Sequence, residues 1–128
     1  MTVNRILMAL EVMPPLMRAK GLTAGAQMAL VRLYRRLADE RDAFCLAERN
    51  LVDAWGGAVD GEGKITFPDA SSTAGFRREQ VALRCAEVEL EGIELQSADS
   101  LWAVMTPEIL INMEGIIEIK EEDHEGVE

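Results

Sequence analysis

The stretch TAGAQMALVRLYRRLADERDAFCLAERNLVDAW, from Thr23 to Trp55 and closed by Gly56-Gly57, decides the fold. Leu30, Leu37, Phe44 and Leu51 recur every seven residues, and Val31, Ala38, Cys45 and Val52 repeat the pattern one position on; both rows are wholly apolar. Tyr34 and Trp55 widen the stripe, whereas Arg35, Arg36, Asp39, Glu40, Asp42 and Arg49 fall largely outside it, as the helical period of about 3.6 requires. Thr23 can cap the first amides and Gly56 can take the left-handed position after the last turn. At about 1.5 Å per residue the helix measures about 45 to 50 Å, longer than a compact domain of this size is wide. Its stripe therefore needs cover, either from the N-terminal segment folded back as a helical hairpin or from a second copy of the chain. A third row, Gln27, Tyr34, Arg41, Glu48 and Trp55, carries two opposite charges. In a hairpin this row is the edge of the packing; in a dimer seam Arg41 and Glu48 pair across it. The interface candidates are thus Leu30, Tyr34, Leu37, Arg41, Phe44, Glu48, Leu51 and Trp55.

The chain has 128 residues, which bounds it to one domain, expected over residues 1–120, with an acidic flexible tail at 121–128. Val3 to Met13 reads as a helix broken by Pro14-Pro15, because proline clashes with the preceding turn; a short helix to Lys20 follows, ended by Gly21. Asp60-Gly61-Glu62-Gly63 leads into Lys64-Ile65-Thr66-Phe67, a short strand or hairpin stopped by Pro68. A helix is expected from about Ala74 to Ala86. The period then switches: Ala86, Val88 and Leu90 alternate with Glu87, Glu89 and Glu91, which predicts a half-buried strand, and Gly92 shifts the phase before Ile93 and Leu95 resume it. Thr106-Pro107-Glu108 supplies an N-cap, a proline at the first helical position and an acid in the first turn, opening a helix that ends near Gly115. Ile116, Ile117 and Ile119 predict a last strand. The fold class is α+β, a long central helix flanked by shorter ones with a small C-terminal sheet.

Charge is divided along the chain. Residues 1–50 carry eight Lys or Arg against five Asp or Glu, while residues 51–128 carry five against eighteen. Between Glu87 and Glu128 thirteen carboxylates meet one base, Lys120, a balance that repels nucleic acid. No apolar run approaches the roughly 20 residues that span a bilayer, and the start is cut short by Glu11 and Pro14-Pro15, so neither a membrane span nor a signal peptide is expected. Cys45 and Cys85 form no CxxC pair and read as free thiols of a reducing cytoplasm.

The inventory offers little for catalysis. The single histidine, His124, lies in the tail beside Glu121, Glu122, Asp123 and Glu125, which read as a solvated segment and not a metal site. There is no GxxxxGKS/T or GxGxxG pattern, and the acidic turn lacks the ligand spacing of an EF-hand, with Lys64 at its fifth position. Neither an enzyme nor a cofactor is expected.

The order of features, LTAGAQMAL entering a long helix, then RLADERDAF, LVDAWGG, DGEGK and the late EVEL, PEIL and GII, resembles a family of small uncharacterised tailed-phage and prophage proteins. The resemblance covers most of Leu22 to Ile117. It implies a non-enzymatic accessory or assembly role in the cytoplasm of a bacterial host or in the virion. The partners expected are a second copy of the chain, forming a homodimer, another phage protein, or a host protein. The alternative is an acidic inhibitor, in which Glu87, Glu89 and Glu91, projecting about 6.6 Å apart from one face of a strand, occupy a basic groove on a host defence or nucleic-acid-processing enzyme.

Overall fold

A computed structural model describes residues 1–96 and 105–120; the acidic tail expected at 121–128 lies outside them. Its elements are α1 (Val3–Met17), α2 (Ala24–Ala54), β1 (Ala58–Val59), β2 (Ile65–Thr66), α3 (Ala70–Arg84), β3 (Ile93–Gln96), α4 (Pro107–Asn112) and β4 (Ile117–Lys120). The architecture is α+β, as expected. The long helix α2 begins where the Thr23 hydroxyl accepts the amide of Ala26 at 3.1 Å and ends at Trp55, after which Gly56 takes φ +72°. Such a left-handed residue costs little only as glycine.

Pro14 and Pro15 do not break α1, contrary to the expectation: one helix runs through both to Met17. The prolines stand in its last turns, so the amides they lack are the ones that would have reached the Leu10 and Glu11 carbonyls. Met13 and Leu16, 0% and 1% exposed, flank the pair and are buried with Leu30, Leu33 and Leu37 of α2 in one core. This burial, worth about 1.5 to 3 kcal/mol per large apolar side chain, is what holds the last turns in helical form. Arg18 and Ala19 donate to the Pro14 and Leu16 carbonyls at 3.2 Å, and Gly21, at φ +80°, turns the chain toward α2.

Helix α3 covers the other half of α2, running antiparallel to it. Gly75 lies under Trp55, where a Cβ would come within 2.4 Å of the indole. One turn on, Gln80 Nε2 donates to Glu48 Oε2 at 2.9 Å, and the Arg84 guanidinium lies 5.3 Å from the centre of the Phe44 ring. This helix starts four residues before the expected Ala74, because Asp69 Oδ1 accepts the Ser72 amide at 2.7 Å and caps an otherwise indifferent Ala-Ser-Ser-Thr turn.

The strand expected at 86–90 is absent. Val3 donates to the Ala86 carbonyl at 3.0 Å and Val88 donates to the Met1 carbonyl at 2.8 Å, forming a single antiparallel bridge, Thr2 with Glu87. The pairing stops there because its partner strand ends where α1 begins. The alternation is used in part: Val88 and Leu90 are half-buried and Glu87, Glu89 and Glu91 exposed, but Ala86, expected on the buried side, is exposed as well. Strands β3 and β4 pair in parallel, Ile93 opposite Ile117 and Leu95 opposite Ile119. Gly92 leads into them because a Cβ there would stand 2.9 Å from the carbonyl oxygens of both Gly115 and Ile116. The cap of α4 is the expected one: Thr106 Oγ1 accepts the Ile109 amide at 3.3 Å, with Pro107 in the first turn.

Candidate interaction surface

The heptad row singled out in the sequence faces its own chain. Leu30 and Leu37 are fully buried and Phe44 is 7% exposed, while Tyr34, Leu51 and Trp55 are half-buried. Arg41 and Glu48, expected to pair across a dimer seam, have partners within the chain. Arg41 Nε lies 3.5 Å from Asp42, and the Tyr34 hydroxyl and then the Asp42 carboxylate raise the guanidinium pKa above its ordinary value. Glu48 accepts from Gln80. The second row is split: Val52 is buried and Ala38 half-buried, but Val31 and Cys45 are exposed.

The opposite face of α2 is the uncovered one. Met28, Val31 and Leu46 are 51%, 37% and 58% exposed, and between and beyond them stand the exposed charges Arg35, Asp39, Asp42 and Arg49. Residues three, four and seven apart fall on one side of a helix, so these side chains share one face over about 32 Å. At its C-terminal end the face runs on to the β1–β2 hairpin. Val59 and Ile65 are cross-strand partners there and remain 61% and 37% exposed. Cys45, Arg49, Val52, Asp53, Val59 and Ile65 line an open groove of about 300 Å³ between the helix end and the hairpin. Asp60 stiffens the turn, one carboxylate oxygen accepting the amides of Glu62 and Lys64, both at 2.9 Å. Only the apolar rows were conspicuous in the sequence; the signal for this face was the seven-residue spacing of Met28, Arg35, Asp42 and Arg49.

The acidic candidates do not form the regular ladder expected of a strand. Glu87 accepts the Met1 amino group at 2.7 Å, and Glu89 and Glu91 follow it through irregular backbone around a depression that also includes Arg36. Both thiols, Cys45 and Cys85, are free and exposed. Among the described residues no three His, Cys, Asp or Glu side chains gather as metal ligands, and no helix is long and apolar enough to cross a membrane. Comparison with protein-family models, with curated proteins and with solved structures found no match to this chain.

Proposed function

We propose that the chain is a non-enzymatic accessory or assembly protein of a tailed phage or prophage, acting through protein–protein contacts along its long helix. One observation carries this reading: α2 buries Leu30, Leu33, Leu37 and Phe44 of one face within the chain yet keeps Met28, Val31 and Leu46 exposed on the other, which runs on to Val59 and Ile65 of the hairpin. Single exposed apolar residues are ordinary, but an aligned set ending in a groove marks a surface that another protein can cover. The biological setting comes from the resemblance of the sequence to small phage proteins alone.

The test is affinity capture of the tagged chain from phage-producing cells, with the wild type and a Leu46→Glu, Val59→Glu variant run side by side. Virion or morphogenesis proteins held by the wild type and lost from a variant of unchanged helicity support the reading. Retention of the same proteins by the variant sinks it. Recovery of a host nuclease that depends on Glu87, Glu89 and Glu91 instead supports the acidic inhibitor.

A further inference from the structure

The outward face of α2 is self-complementary, and we infer that it packs against the same face of a second copy in a two-fold, antiparallel contact. This rests on reading that face as an interface, and it adds what covers it. The order of side chains selects the partner. With the two-fold axis beside Ala38 and Asp39, Val31 of one copy meets Leu46 of the other, Arg35 meets Asp42, and Met28 meets Arg49, each pair occurring twice. A parallel, in-register pairing instead stacks Arg35 on Arg35 and Asp42 on Asp42, so the charge order itself chooses the antiparallel arrangement.

The geometry of the single chain leaves these groups disposed for the contact. Among the described residues Arg35 has no ion-pair partner, and Asp42, although 3.5 Å from Arg41, keeps its side chain 71% exposed. Asp39 comes near its own copy across the axis, but it also lies within one turn of the partner copy's Arg35, which offsets the approach of the two acids. At the far ends of the contact, Met28 of one copy is brought to Arg49 of the other, at the mouth of the groove formed with Cys45, Val59 and Ile65. A thioether is flexible enough to reach the apolar part of this mixed groove, at Val52, Val59 and Ile65, beside the charges of Arg49 and Asp53. A strip about 32 Å long and one helix wide is at the small end of specific interfaces, so the dimer is expected to be reversible, with a Kd on the order of 10 μM.

Sedimentation equilibrium of the full chain across roughly 1 to 300 μM tests this, a range that brackets the expected Kd. The wild type should convert reversibly from monomer to dimer. Arg35→Asp and Asp42→Arg should each weaken the dimer about tenfold, because every reversal replaces two attractions by two repulsions. Together they should return it to within about threefold of the wild type, since the exchanged pair is again attractive. Positions 35 and 42 lie about 10.5 Å apart along one helix and cannot pair within a chain, so recovery reports a contact between copies. A wild type monomeric throughout, single reversals without effect, or a combined variant as weak as the single ones each overturns the inference. A monomeric wild type that still loses its captured partner on Leu46→Glu, Val59→Glu substitution leaves the proposed function standing and removes only the second copy as occupant.

Discussion

Replacing Leu37 and Leu46 separately by alanine distinguishes the buried face of α2 from the outward one. Leu37 is 0% exposed and packs in the core that joins α1 to α2, whereas Leu46 is 58% exposed on the far side of the same helix. Both substitutions remove the same atoms and both leave a good helix former, so helix propensity hardly separates them. At Leu37 the loss of buried contacts and the cavity left behind cost about 2 to 5 kcal/mol, and full burial between two helices places the expected value near 3 kcal/mol. A domain of this size has a total stability of about 6 to 19 kcal/mol, so that loss is a substantial part of it. It corresponds to a fall in Tm of about 10 °C. At Leu46 little is buried in the single chain, and the change should stay within about 0.5 kcal/mol. Urea unfolding followed by far-ultraviolet circular dichroism, at low micromolar protein and again after tenfold dilution, measures both. Dilution separates the folding of the chain from any stabilisation by a second copy. Equal costs at the two positions, or a larger cost at Leu46, would show that the row Leu30, Leu37, Phe44 faces outward and would refute the assignment of faces.

Two further outcomes follow from the caps and the double proline. The Ser72 amide holds the Asp69 carboxyl below its ordinary value of 3.8, so its contribution to α3 is fully present above about pH 4 and is lost as the pH falls through the depressed folded value. Asp69→Asn keeps an acceptor at all pH; helicity titrated downward from neutral should fall less below pH 4 in the variant than in the wild type, and superimposable curves would refute the cap's role. Pro14→Ala restores an amide that can reach the Leu10 carbonyl from an exposed position in α1. A gain of up to about 3 kcal/mol in helix propensity, reduced by about 0.4 to 1 kcal/mol of added unfolded-state freedom and by partial accommodation of the ring, predicts a net stabilisation of about 1 to 2 kcal/mol. It should be read as a higher urea midpoint, and a lower one contradicts the account given for α1.

Local chemistry was legible in the sequence wherever a single segment sets it. Thr23, Gly56 and the Thr106-Pro107 pair mark helix ends in sequence and in structure, because a cap involves only neighbours within a turn. What distance along the chain decides was harder to read. Pro14-Pro15 breaks an isolated helix, but Met13 and Leu16 are fixed by residues of α2, which no local rule contains. Alternation at 86–90 separated the half-buried Val88 and Leu90 from the exposed glutamates but failed at Ala86, which is exposed, and a strand also needs a partner, which here is Thr2, a residue before α1 begins. For the candidate surface the limit was similar. Periodicity identified the apolar stripe of α2 and left its cover open between the same chain and another; the cover is the same chain, and the exposed face is the one whose charges fall outside that stripe.

The lengths of the helices explain why that outcome was forced. Helix α2 has 31 residues and measures about 46 Å, while α1 and α3 have 15 residues each, about 22 Å apiece. Laid along α2, the two short helices together match the long one. They also meet end to end: Asn4 near the start of α1 accepts from Arg84 at the end of α3 at 3.5 Å, and Val3 donates to Ala86 just beyond it. No unfilled length of the stripe therefore remains for a second chain to share, and a seam built on Leu30, Leu37 and Phe44 would require α1 or α3 to leave. The remaining face of α2 is the outward one, which carries Met28, Val31 and Leu46. On that face the apolar residues are few, and in the proposed contact the sequence of signs, positive at Arg35 and negative at Asp42, is the specifying element. An antiparallel pairing of two such faces avoids the like-charge contacts, Arg35 on Arg35 and Asp42 on Asp42, that a parallel one brings, so the proposed choice of direction depends less on how much surface is buried than on where the charges stand.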